Sequence, residues 1–179
     1  VVYLSALCTN TASGFDITTI KISQTPFYFP PDLNGDTADL AFQYWENKGQ
    51  LVDYTVNPVP QIKYYTMSQN PRVYIENLKN YFVYTRGDTI QSTNDTVVRV
   101  DMEFVKGNKL CDFFPSQETD GYANFFLSHL SSAITGLKGS KRMMVPNIWP
   151  DVDLHYYSNN DGIKYYFVLK QGLANLESV

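Results

Sequence analysis

Histidine is scarce in this chain. His129 and His155 are the only two in 179 residues, too few for most catalytic or zinc constellations. No glycine-rich phosphate loop precedes a helix, and no G-x-S-x-G elbow is present. Charge is also sparse: Asp, Glu, Lys and Arg make up 18% of the chain, with a net charge of -4. No basic run occurs, so the electrostatic footprint of a nucleic-acid binder is missing, and an anionic membrane surface would not attract the protein. No apolar run approaches the roughly 20 residues of a membrane span. These absences point to a soluble binding or structural protein, expected as a single domain over residues 1–179.

Cysteine is nearly absent too. Cys8 and Cys111 are the whole complement. An even count at wide spacing suits one disulfide closing a loop of about 100 residues, worth about 4–5 kcal/mol in the chain-entropy model. The alternative is a pair of buried free thiols. The apolar opening Val1-Val-Tyr-Leu-Ser-Ala-Leu is too short for a signal core and reads as a mature N-terminus beginning on a strand, hence a secreted protein. Asn94-Asp95-Thr96 is the one N-glycosylation sequon, with Asn94 as its acceptor.

Aromatic residues are plentiful: 15% of the chain, with 14 Tyr and 11 Phe. They concentrate in the C-terminal stretch from Val152 to Lys170, which reads as a β-hairpin around Asp161-Gly162. A two-residue turn there pairs Tyr157 with Tyr166; a four-residue loop, Asn159 to Gly162, shifts the partners by two and keeps every side chain on its face. One face then carries Val152, Leu154, Tyr156, Ile163, Tyr165, Phe167 and Leu169, a core face. The other carries Asp153, His155, Tyr157, Lys164, Tyr166, Val168 and Lys170, half wet and half aromatic.

Upstream, alternation predicts strands over 1–7, 16–24, 38–45, 50–56, 61–67 and 96–106, with two short strands around Asn77–Asn80. Thr25 to Pro31 is proline-broken and extended. Tyr122, Phe125, Phe126, His129, Leu130, Ala133, Ile134 and Leu137 recur at helical spacing and predict one amphipathic helix, with Asp120 as N-cap. Met143 to Pro150 reads as an irregular apolar linker. The expected fold is mainly β (α+β): an antiparallel sandwich or barrel of about eight or nine strands with that helix packed on it.

Three constellations carry candidate chemistry. Asp32, Asn34, Asp36 and Asp39 place alternating oxygens in a loop, the pattern that wraps Ca2+ or Mg2+; a solvated Asx-rich turn is the alternative. Asp153 and His155 have the i, i+2 spacing of two metal ligands on a strand. The aromatic doublets Tyr64-Tyr65, Tyr156-Tyr157 and Tyr165-Tyr166 put a ring on each face of a strand, so one member can be core while the other lines a pocket or a homodimer interface. Candidate ligand-binding residues are His129, Phe126, Trp149, Tyr156, Tyr157, Tyr165 and Tyr166.

Val1-Val-Tyr-Leu-Ser-Ala-Leu-Cys8 resembles the mature start of small secreted fungal proteins. Leu110-Cys111 together with Val145-Pro-Asn-Ile-Trp-Pro-Asp-Val-Asp-Leu154 resembles MD-2-related lipid-recognition domains. That second resemblance implies a two-sheet sandwich holding an apolar ligand between its sheets. The expected function is therefore a non-enzymatic binding protein for a small apolar or aromatic molecule (a lipid, pigment or other metabolite). A secreted polysaccharide-acting hydrolase and a carbohydrate-binding or interaction module are the alternatives.

Overall fold

The computed structural model describes residues 22–23, 43–53, 55–67, 71–86, 96–159 and 162–170. They form one antiparallel sheet of ten strands: β1 (Ile22–Ser23), β2 (Tyr44–Glu46), β3 (Tyr64–Thr66), β4 (Arg72–Ile75), β5 (Lys79–Arg86), β6 (Thr96–Glu103), β7 (Phe114–Phe125), β8 (Ile134–Trp149), β9 (Val152–Asn159) and β10 (Gly162–Leu169). The path runs β1-β6-β5-β4-β3-β2-β8-β9-β10, and β7 lies along β8. The mainly β, antiparallel expectation holds.

The sheet curls into a half-barrel. Its two arms meet at β8, which pairs with β2 at Ser140 and with β9 from Arg142 onward. The far ends come back together inside the curve: the Tyr165 hydroxyl lies 3.2 Å from Met102 Sδ, and the Phe167 and Phe104 rings sit 6.1 Å apart. The interior holds Tyr44, Tyr64, Val73, Ile75, Met102, Phe104, Met143, Val145, Val152, Leu154 and Tyr156. A second core lies on the opposite face of β2–β5, where Trp45, Tyr65, Tyr74 and Val83 meet Leu51, Val59 and Ile62 of the 50–62 segment and Ala123, Phe125 and Leu137 of β7 and β8. Strand alternation explains the division. Neighbours such as Tyr44 and Trp45, or Tyr64 and Tyr65, necessarily point to opposite faces, and here both faces are dry.

The amphipathic helix expected from Tyr122 to Leu137 is overturned. Residues up to Phe125 belong to β7, residues from Ile134 belong to β8, and 126–133 connect them. Two alternating runs on either side of a turn had mimicked a helical period. Ala123 faces its pairing partner Leu137 inside, while Tyr122 and Phe126 are exposed. Gly136, with φ at +67°, lies outside α-helical backbone space. No helix occurs among the described residues, and so none long and apolar enough to cross a membrane.

The 143–150 linker is likewise a strand, the second half of β8. Pro146 is accommodated because pairing with β9 lapses between Val145 and Trp149, where Asn147 takes a positive φ of 51°. The expected return strand over 50–56 is a loop with a single bridge, Val52 to Pro58, and β2 pairs with β3 instead. The two short strands around Asn77–Asn80 are β4 and β5.

Candidate ligand-binding surface

The C-terminal hairpin follows the four-residue-loop register: Ser158 opposes Ile163, Tyr156 opposes Tyr165, His155 opposes Tyr166 and Leu154 opposes Phe167. On β9 burial alternates as expected: Val152, Leu154 and Tyr156 are buried and Asp153, His155 and Tyr157 half-buried. On β10 Lys164, Tyr166 and Val168 are exposed, but so are Tyr165 and Leu169 of the expected core face, where Ile163 and Phe167 are half-buried.

Pairing extends the outer face across four strands. Phe114 of β7 opposes Met144 of β8, Met144 opposes His155 of β9, and His155 opposes Tyr166 of β10. The next row runs Ser116, Arg142, Tyr157 and Lys164. Paired residues in an antiparallel sheet project to the same side, so these rows make one continuous platform. Its centre is a ring cluster: Tyr166 stacks on His155 at 5.1 Å and 19° between planes, and meets Tyr157 edge-on at 5.7 Å. Tyr166 retains 42% of its surface in solvent.

Asp153 anchors the platform's end. Burial alone would raise its carboxyl, but the Asn147 N–H donates to it at 2.8 Å and Lys170 Nζ lies 2.9 Å away, and together these hold it below the ordinary carboxylate range. Both contacts fall on Asp153 Oδ1, and the ring of His155, the other member of the i, i+2 pair, is stacked on Tyr166. No group of three or more metal-ligating side chains occurs among the described residues.

The seven residues singled out in the sequence separate into three places. Tyr157 and Tyr166 share the platform. Tyr156 and Trp149 belong to the interior, and Tyr165 lies at its rim, 37% exposed. Tyr156 is sealed there and donates to Asn80 Oδ1 at 3.0 Å, Tyr165 packs on Tyr156 and Phe167, and Trp149 Nε1 donates to the Val105 carbonyl at 2.8 Å. Phe126 and His129 lie on the β7–β8 connection, far along the chain from the hairpin. Phe126 is 76% exposed, and His129 Nε2 is 3.1 Å from the Gly49 carbonyl. Asp32, Asn34, Asp36, Asp39, Asn94 and Cys8 fall outside the described residues. Cys111 is buried, its Sγ faces the Asn77 carbonyl at 3.6 Å, and burial pushes its pKa up; with Cys8 outside the described residues, the expected Cys8–Cys111 pairing lies outside them too.

Phe114, Arg142 and Met144 complete the platform and were not anticipated. Two of them lie in the stretch that reads as an irregular linker, or beside it. The signal that could have exposed them is the alternation Met143, Val145 inward against Arg142, Met144 outward.

The model of a family described as a domain of unknown function, DUF7948, matches residues 44–178. The chain belongs to this family. The DUF7948 match runs from the first residue of β2 past the end of β10, so both cores and the whole platform lie within it. No curated protein and no solved structure matches the chain.

Proposed function

We propose that this DUF7948 domain is a non-enzymatic binding module that takes a carbohydrate chain on the outer face of β7–β10. The observation that carries the reading is the Tyr166–His155–Tyr157 cluster, in which three rings on neighbouring strands pack together on an accessible sheet face, with Phe114, itself 50% exposed, at the far end of the same row. A sugar ring has a flat C–H face that lies on an aromatic ring and a rim of hydroxyls. Tyr166 and Tyr157 supply the rings at little conformational cost, and their phenols, with Arg142 in the adjoining row, supply polar partners. An open, strand-built platform spanning four strands suits an extended polymer, and such a partner implies an extracellular or cell-surface setting.

The test is co-sedimentation of the protein with insoluble polysaccharides of differing linkage, chitin, cellulose and xylan among them. Retention on at least one is expected. Tyr166→Ala should weaken it by about 0.5–1.5 kcal/mol, roughly two- to twelvefold, the worth of one aromatic contact. Failure of every polymer to retain the protein, or undiminished retention of Tyr166→Ala, removes this reading.

A second reading, a small apolar or aromatic molecule held inside the half-barrel, is favoured by one observation. Asn80 Nδ2 is buried beside Tyr156 and has no hydrogen-bond partner, so a donor stands ready within an aromatic interior. Native mass spectrometry of the purified protein tests it: a bare mass with no co-purifying molecule counts against it.

A further inference from the structure

A separate feature lies where β7 departs from β8. Pairing is regular from Phe114 to Glu118 and resumes at Tyr122, leaving Thr119, Asp120 and Gly121 as a bulge. Gln117, just before it, takes a positive φ of 55°, a conformation that a side chain disfavours. Beneath the bulge is a cavity of about 340 Å³, lined by Gln117, Glu118, Thr119, Asp120, Gly121, Lys141 and Gln43.

The floor of this cavity is constructed. Gln43 is 2% exposed, and its amide oxygen accepts the Thr119 hydroxyl at 2.9 Å. It lies directly over Gly139, where an added Cβ would come within 2.0 Å of that oxygen, so only glycine leaves room for it. The Thr119 hydroxyl has the Gly139 carbonyl as a second acceptor at 3.2 Å, and its own lone pairs remain to receive a donor. None of the lining residues belongs to the platform rows, which run through Phe114, Met144, His155 and Tyr166 and through Ser116, Arg142, Tyr157 and Lys164.

Its lining selects a ligand class. Glu118 and Asp120 bring two negative charges and Lys141 one positive. Glu118 is also paired at 3.3 Å with Lys138, which stands outside the lining and offsets that carboxylate, leaving Asp120 and Lys141 as one charge of each sign. A free phosphate would call for an excess of cations and an amine for an uncompensated excess of anions. A lipid would call for an apolar wall, which this lining of amide, hydroxyl, carboxylate and ammonium does not provide. Each hydroxyl of a polyol both donates and accepts. A neutral polyhydroxyl compound therefore matches a wall that offers both donors and acceptors and whose carboxylates are offset by Lys141 and Lys138. We propose that this cavity binds a single neutral sugar unit through its hydroxyls.

The test is a titration of the full, ¹⁵N-labelled chain followed by amide shifts, with glucose, galactose, mannose and N-acetylglucosamine as probes and with inorganic phosphate and putrescine as counter-probes. Saturable shifts at Thr119, Asp120 and Gly121 are expected with at least one sugar and with neither counter-probe. Asp120→Ala and Lys141→Met, both at exposed positions that leave the cores untouched, should each weaken that binding about tenfold. Tyr166→Ala should leave it unchanged, which separates this site from polymer retention on the platform. The proposal is overturned if no sugar saturates these amides, if phosphate or putrescine does so instead, if both cavity variants bind like the parent, or if Tyr166→Ala abolishes the shifts.

Discussion

Replacing Tyr156 by Phe removes one oxygen atom from the interior, and the structure says what that costs. The Tyr156 hydroxyl donates to Asn80 Oδ1 at 3.0 Å, and Asn80 is only 1% exposed with its Nδ2 already lacking a partner. Burial pushes the Tyr156 phenol far above its ordinary range, so it is a neutral O–H donor at every physiological pH. Tyr156→Phe keeps the ring and its edge-on contact with Tyr44 at 6.1 Å. It leaves the Asn80 amide with no partner at either end, a stranding that costs about 1–3 kcal/mol. For a chain of this length that corresponds to a fall in Tm of roughly 2–4 °C per kcal/mol. Asn80→Leu strands the phenol in the same way. The double variant removes both polar groups together and should be much less destabilised than the two single changes summed, with a coupling of about 1–3 kcal/mol. Urea denaturation of the four proteins gives these values directly. A Tyr156→Phe variant within about 0.5 kcal/mol of the parent, or a double variant equal to the sum of the singles, would refute the reasoning.

Two further outcomes follow from burial. Phe125→Ala truncates a ring of the second core and should cost about 3–5 kcal/mol, whereas Phe126→Ala, at an exposed position, should change stability by less than about 0.5 kcal/mol; equal losses in thermal melts would mean the β7–β8 connection is packed differently. Burial raises the phenols of Tyr44, Tyr64, Tyr65, Tyr74 and Tyr156 above the ordinary 10.0, Tyr64 to about 12. Their contribution is fully present below pH 10 and falls as pH rises above it, because the unfolded chain releases those protons first. Alkaline titration should therefore show part of the phenolate absorbance appearing only together with loss of β-sheet circular dichroism; smooth ionisation of all tyrosines without unfolding would contradict this.

The hairpin was legible because its rule is local. A period of two fixes faces whichever loop length is used, so Tyr156 inside and Tyr157 outside follow in either register. The doublet Tyr64-Tyr65 followed the same rule, although sequence could not say that its second face would be covered by the 50–62 segment rather than by a ligand or another subunit. The helix failed for a complementary reason. Apolar residues on two strands flanking a turn can reproduce a helical period over a short window, and only long-range pairing such as Ala123 with Leu137 distinguishes the two. The cavity at the β7 bulge left no trace in the pattern, because it depends on Gln43 and Gly139 meeting across about a hundred intervening residues.

Strand β8 bears on how the chain is made. It is the shared seam of both arms, and it supplies Met143, Val145 and Ile148 to the interior and Leu137 to the second core. During synthesis β2 through β6 leave the ribosome well before it, carrying Tyr44 and Ile75 on a face that β8 and β9 have yet to cover, while the opposite face has the 50–62 segment but still lacks Ala123, Phe125 and Leu137. Such a sheet has little reason to settle until β8 to β10 arrive. Folding of this domain is accordingly a late event, concluded by the C-terminal hairpin, and nascent chains that stop short of β8 are the ones that would need a chaperone.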